Sequence, residues 1–385
     1  MEGEKMLIDI IELRRMFHKI PEVGFKEYET NMLIRRLLDK YSVEYKTDIA
    51  GTGLIISYGE GHPHIAFRAE IDALPIQEEN NTEYCSAKDG YMHACGHDCH
   101  IAALIGTIVK TKELFEKCNI QGKVTFIFQP CEETHNEEGL SGGQIISSLP
   151  ELESVDHYYA GHIESTLERG KIFIREGALT AAIDRFDADV IGHPGHGAYP
   201  HNTVDPIWLA SNTIQMINTI ESRVANTAYP SVISVCTISG GNTWNTIPEK
   251  VSMSGTIRTF NQKEREKIHD RMTKCFKSCR LFGGDFALNI EKGNPSVVND
   301  PDECNIVREA VRNVISDEAV SSIDIQMGGD DFSYYAMQKP SCYFYIGAKK
   351  DDVSRQHHSG NFDIDESMIP YISRIYLEII RIKLL

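Results

Sequence analysis

No stretch of the 385 residues stays apolar for the roughly 18–20 positions that cross a bilayer, so no membrane span is expected. Positive charge is scarce. Lys and Arg total 39 against 56 Asp and Glu, a formal net charge of −17. Nucleic acid and anionic membrane both require a basic patch, so neither is an expected partner. Residues 1–20 have no basic start, unbroken apolar core or small-residue cleavage site of an export signal. Ten cysteines without such a signal read as reduced thiols at a cytoplasmic address. There is no Cys-x-x-Cys redox pair, and neither G-x-x-x-x-G-K-S/T nor G-x-G-x-x-G occurs to cradle phosphates. Internal repeats and low-complexity segments are also missing.

What remains is an ordinary globular composition, 41% hydrophobic and 25% charged. The length exceeds what one hydrophobic core usually serves, so two domains are expected. Helical spacing of apolar residues marks 5–19, 27–40 and 101–115, with Asp98 as N-cap of the last. Short apolar runs at 53–57, 65–67, 124–128 and 155–160 read as buried strands. Strands alternating with helices predict an α/β fold with much parallel pairing, whose sites gather beyond the strand carboxyl ends. Three polar clusters fall there: Glu70/Asp72, Glu132/Glu133 and His162.

From about 183 the texture changes. Residues 186–191, 231–237, 250–259 and 286–290 alternate apolar and polar, as half-exposed antiparallel strands do. Helical segments 205–221 and 262–281 interleave with them. The expected organisation is a discontinuous α/β domain, 1–182 and 293–385, carrying an inserted α+β domain at 183–292. A closing helix from Asp365 carries Pro370.

The richest chemistry lies in His93-Ala94-Cys95-Gly96-His97-Asp98-Cys99-His100. In an extended loop alternate side chains share a side, so His93, Cys95 and His97 point together. Thiolate beside imidazole suits a borderline-soft divalent ion such as zinc, though periodicity leaves open which of the set bind. Glu132-Glu133 follows a buried strand, where one carboxylate can hold metal while its neighbour moves protons. A solvated acidic turn is the plain alternative. His162, and one of His357-His358, would complete a site if they reached the Cys/His loop; either is otherwise a packed or surface histidine. In the insert, His196 lies on a glycine-rich turn and is a candidate oxyanion donor. Asn245 and Arg258 are weaker candidates for gripping substrate. Asp330-Asp331 reads as a helix cap, with holding a site residue in place as the alternative.

The segments FRAEIDALPIQEE, MHACGHDCHIAAL, FQPCEE, GHPGHGAYPHNTVDP, NTIPEKVSMSGTIRTF, GGDDFS and HHSGNFDIDE together resemble one family. It is the aminoacylase and hippurate-hydrolase branch of the bimetallic aminoacylase/carboxypeptidase superfamily, which includes the amidohydrolases that free auxin from amino-acid conjugates. The resemblance implies a zinc-peptidase-like α/β catalytic domain with an α+β lid that also makes a homodimer. It implies two divalent ions, zinc first and manganese, cobalt or nickel next, held by Cys95, His97, Glu133, His162 and His358, with Cys95 between them. Glu132 would be the general base, and His196 would serve the partner subunit's site. Asp72 and Asp98 would orient the ligands, and Asn245 and Arg258 would contact an N-acyl amino acid substrate. The alternatives are a dipeptidase or carboxypeptidase on this scaffold, or a catalytically silent metal-containing binding protein. Four features depart from the branch's usual pattern: Glu70 for aspartate, Asp330 for glutamate, Cys99 for glycine, and THNEEGLSGG after Glu133. These bear most on substrate preference.

Overall fold

The computed structural model describes residues 9–385, so the start of the expected 5–19 helix lies outside the described residues. The principal elements run α1 (Ile10–His18), α2 (Tyr28–Lys40), β1 (Lys46–Ile49), β2 (Gly53–Glu60), β3 (His64–Glu70), α3 (His97–Lys117), β4 (Gly122–Gln129), β5 (His157–Glu164), β6 (Ile172–Phe173), β7 (Ala182–Ile191), α4 (Pro206–Ile217), β8 (Ser231–Gly240), β9 (Lys250–Thr259), α5 (Gln262–Lys277), β10 (Asp285–Lys292), α6 (Pro301–Val314), β11 (Val320–Ser321), β12 (Ser341–Gly347) and α7 (Ile369–Leu384). They form two compact units. Among the described residues, one comprises 9–177, Val298–Asp324 and Asp331–Leu385; the other comprises Ala178–Val297 and Ile325–Asp330. The short return of Ile325–Asp330 has no counterpart in the sequence reading, because hydrogen bonds, not periodicity, place it. Thr180 bridges Gln326, and the Ala181 amide donates to the carbonyls of Gln326 and Gly328.

The first unit is built on an eight-stranded sheet in the order β1-β2-β4-β3-β5-β12-β6-β11. Its centre, β4-β3-β5-β12, is parallel throughout, while β2 pairs antiparallel to β4. β3 and β12 are buried at every position, as strands covered on both faces must be. Helix α3 lies against β2, β3 and β5 and is flanked by α1 and α7. Gly106 permits that closeness, since a Cβ there would come within 2.7 Å of Ile10. All four central strands end at one edge of the sheet, which is where the polar clusters were expected.

Two expected caps do not form. Helix α3 begins at His97, four residues before the apolar pattern, with Gly96 as N-cap at φ +85°. Asp98 lies inside the first turn, where its carboxylate forms an ion pair with Arg14, Nε at 2.7 Å, and accepts from His18 Nδ1 at 2.8 Å. Buried cations outcompete helix amides for it. Asp331 does not cap the helix that follows it, Ser333–Ala336, whose N-cap is Phe332 with no side-chain cap bond. It accepts from Arg68 Nη2 (2.5 Å), the Ser141 hydroxyl (2.7 Å) and the Gly143 amide (2.7 Å). His162 sits within β5, which runs four residues further than the apolar segment.

In the second unit a four-stranded antiparallel sheet, β8-β9-β7-β10, packs against α4 and α5. The expected 205–221 helix stops at Ile217 and resumes as a short turn, Ile220–Arg223. Asp184 on β7 accepts from Arg265 Nε (3.0 Å) and His269 Nε2 (2.7 Å), pinning α5 to the sheet.

One buried histidine gives the first unit a pH limit. His64, at the start of β3, bonds Ser154 Oγ at 3.0 Å and Thr125 Oγ1 at 2.8 Å. Burial, then Lys123, lowers its pKa from 6.5 to about 4. Between these values the unfolded chain binds a proton that the folded chain refuses, so stability is whole above pH 6.5 and is lost as pH falls toward 4. Urea midpoints measured from pH 7.5 to 4.5 are expected to fall for the native chain and to fall less steeply for His64→Gln.

Candidate metal centre

The sheet edge brings four of the five expected ligands together. Cys95 Sγ lies 3.5 Å from His162 Nε2 and 3.5 Å from His357 Nδ1. Cys95, His97 and Glu133 form a second group, whose ligand atoms all lie within 4.8 Å of one another. Both groups contain the same sulfur. The fifth expected ligand, His358, is not in either group. Its side chain is 53% exposed, and its Nε2 approaches Glu133 Oε1 at 3.2 Å. His357 is in the group instead, because His358 adopts φ +58° and turns the two neighbouring rings in different directions. His93 also stays out, although it shares the parity of Cys95 and His97. It is buried with neither ring nitrogen hydrogen-bonded, and burial lowers its pKa to about 3.

These spacings fit cations. With zinc–sulfur near 2.3 Å and zinc–nitrogen near 2.0–2.1 Å, two ligands at tetrahedral angles sit about 3.5 Å apart. His97 Nε2 points at Glu133 Oε1 from 3.9 Å, too far for a hydrogen bond, and that nitrogen is buried without one. Such orphaned buried groups are rare unless something else satisfies them. The second nitrogens of His97 and His357 are held from behind, while His162 Nδ1 is buried with no hydrogen bond. His97 Nδ1 lies 2.9 Å from the Asp72 carbonyl, and His357 Nε2 lies 3.1 Å from Glu164 Oε1. At His97 that arrangement fixes the tautomer and aims Nε2 inward, whereas His357 Nε2 also receives the Ser165 amide at 3.3 Å. His100 is excluded by the same reasoning. Its Nδ1 bonds Glu70 Oε2 at 2.8 Å, and its Nε2 accepts the Ile163 amide at 2.9 Å, leaving no nitrogen to give.

The electrostatics call for positive charge. Burial, then Glu133, Glu132 and Glu70, push the Cys95 thiol well above its ordinary value. Burial opposes protonation of His97, yet Asp72, Glu70 and Glu133 outweigh it and raise the ring to about 10. His162 is lowered by burial and then by His100 and His357. A thiol among carboxylates becomes a thiolate only beside a cation.

Glu132 and Glu133 sit on a turn with every amide fixed. Asp72 Oδ2 accepts from the Glu132 amide at 2.9 Å and the Glu133 amide at 3.0 Å. Asp72 thus meets both His97 and the acidic turn. Before them, Cys131 has φ +51°, a conformation that costs about 1–3 kcal/mol for a residue with a side chain. A Glu132 carboxylate oxygen comes within 4.8 Å of one on Asp331. Sequence reasoning missed the working partners Glu70–His100 and Arg68–Asp331, since single charges on strands carry no pattern. In the second unit His196 pairs with Thr246 across a two-stranded ladder, and the Gly197 amide donates to the Asn245 carbonyl at 2.8 Å. The two sequence candidates are therefore neighbours there. Arg258 lies on β9, half-buried, with its Nη1 donating to Thr256 Oγ1 and the Ile257 carbonyl.

Residues 66–382 match peptidase family M20/M25/M40. The chain is 35% identical over 376 residues to an N-acetyl-L-cysteine deacetylase of Bacillus subtilis (strain 168), covering 95% of this chain and 85% of the relative. It is 33% identical over 370 residues to IAA-amino acid hydrolase ILR1-like 4 of Arabidopsis thaliana, covering 94% and 82%. Among solved structures, a dinuclear metal binding peptidase from the M20 family of Bacillus subtilis superposes with a TM-score of 0.82 at 30% identity, covering 97% of each chain. The match across most of the chain, over a thiol, imidazoles and carboxylates gathered at one sheet edge, places this protein in peptidase family M20/M25/M40, a family of amide-bond hydrolases.

Proposed function

We propose that this chain hydrolyses the acyl–nitrogen bond of N-acyl amino acids with two divalent cations. The observation that carries the reading is the single Cys95 sulfur common to two ligand groups, with Glu132 next to the ligand Glu133 on one turn. We assign one cation to Cys95, His97 and Glu133, and the other to Cys95, His162 and His357. His358, named by the family resemblance, borders the first group beside Glu133. The thiolate favours zinc, with manganese, cobalt and nickel next. When bound, the ions activate water and polarise the scissile carbonyl. Glu132 then accepts the water's proton as its oxygen attacks, and returns it to the leaving nitrogen. Asp72 keeps that carboxylate and His97 in register by holding both turns.

His196 serves as oxyanion donor in this reading, with Asn245 beside it. Two copies pair through the second unit, each lending His196 to the other's centre; the exposure of both residues supports this. Ten unpaired cysteines support a reducing address, the cytoplasm. Among the described residues no helix is long and apolar enough to cross a membrane.

The test is amine release over a panel of acetyl- and benzoyl-amino acids and dipeptides, beside metal analysis of the purified chain. Faster cleavage of dipeptides would turn the reading toward a peptidase; no turnover with any of the four metals would turn it toward a binding protein. Arg258 is assigned to the substrate carboxylate. A charge-assisted bond contributes about 1.5–3 kcal/mol, so Arg258→Ala is expected to raise KM roughly 10- to 100-fold. The corresponding substrate amides, which lack the carboxylate, should show no such change.

A further inference from the structure

Glu27 is buried on the loop leading into α2, and nothing described so far uses it. Both its oxygens are engaged. Oε2 accepts from the Thr52 hydroxyl at 2.6 Å, and Oε1 accepts from the Cys131 amide at 2.9 Å. Cys131 is the residue at φ +51° that turns the chain into Glu132 and Glu133. Three successive amides, Cys131 to Glu133, therefore end on two buried carboxylates, Glu27 and Asp72, and none on a strand. From the other side the Cys131 carbonyl accepts the Gly142 amide at 2.9 Å.

The loop touches the neighbouring turn as well. The Glu22 carbonyl accepts the Ala73 amide at 2.7 Å, one residue beyond Asp72. Gly24 packs on Cys131 so closely that a Cβ would lie 2.6 Å from its sulfur. Glu22 itself is tied to the start of α2, taking both the amide and the hydroxyl of Thr30 on Oε2. One short segment before α2 thus braces the two turns that carry Asp72 and Glu132. A left-handed residue persists only where its surroundings over-determine it, and Glu27 is the side chain that holds this amide.

We propose that Glu27 is a positioning residue: by anchoring the Cys131 amide it fixes the direction of the Glu132 carboxylate during hydrolysis. This rests on the assignment of Glu132 as base. Side-chain length, not charge, is the property required, because the Cys131 amide needs an acceptor oxygen at that reach.

The test uses the metal-loaded full chain with Glu27→Asp, which retracts the oxygen by one methylene, and Glu27→Gln, which retains it. Glu27→Asp should lower kcat roughly 10- to 100-fold, with KM within about twofold, since small misplacements of reacting groups cost that much. Metal content should stay at the native level. Hydrogen exchange of the amides at 131–133 should quicken at least about tenfold, as expected when a protecting bond is lost. Glu27→Gln should match the native chain in kcat and exchange. Unchanged kcat or unchanged exchange in Glu27→Asp overturns the proposal, as does an equal loss in Glu27→Gln. Loss of metal in step with kcat overturns it too, since the turn would then act through Glu133. Native turnover in Glu132→Gln would instead remove the base assignment, and the exchange result would still report separately on what Glu27 holds.

Discussion

Cys95→Ala is expected to leave the chain with less than half the native metal content and no measurable amide hydrolysis. The sulfur belongs to both ligand groups, so its loss removes one donor from each. Changing even a partner that only orients a ligand typically costs 10–100-fold in metal affinity or activity, and a shared ligand is a larger loss counted twice. What remains around the site is Glu70, Glu132, Glu133 and Asp72, so the vacated position stays electronegative but lacks the soft donor that selects zinc. Cys95→Ser should likewise keep the fold without recovering zinc. Inductively coupled plasma analysis of both variants settles the matter, and native metal occupancy in Cys95→Ala would remove the sulfur from the centre. The same measurement separates the two histidines: loss of one ion in His357→Ala, with near-native content in His358→Ala, follows from the 3.5 Å approach of His357 Nδ1 to Cys95. The reverse result would favour the ligand set implied by family resemblance.

How the sequence foretold so much, and where it stopped, follows from what each kind of pattern encodes. Cys95, His97 and Glu133, whose ligand atoms the structure brings together, stand out in the sequence because chemically unusual residues cluster within a few positions of a strand end. The change from buried to half-exposed strands near 183 is legible in the sequence, and the second compact unit of the structure begins at Ala178. His357 was not separable from His358, since adjacent rings differ only through the φ +58° at the second, which no composition or spacing records. Asp98 and Asp331 looked like helix caps for a similar reason. Their true partners, Arg14 and Arg68, lie 84 and 263 positions away in the chain. Ion pairs at such separations are set by the packing of α1 against α3 and by the sheet edge, and so emerge only in three dimensions. Glu27 escaped notice entirely because a lone glutamate before a helix carries no signal.

Glu132→Gln is expected to lower kcat by about a hundredfold to ten-thousandfold, the usual contribution of a general base, while leaving metal content unchanged. Glutamine fills the same volume and cannot accept a proton at neutral pH. The turn itself should survive, because its amides are held by Asp72 and Glu27 and not by the Glu132 side chain. KM should move by no more than about threefold, since a proton acceptor contributes in the transition state and little to substrate binding. Glu133→Gln makes the decisive contrast, because one residue along the same turn the identical change should expel metal. Should Glu132→Gln retain turnover within about threefold of native, or lose its metal as Glu133→Gln does, proton transfer would have to be assigned elsewhere on the sheet edge.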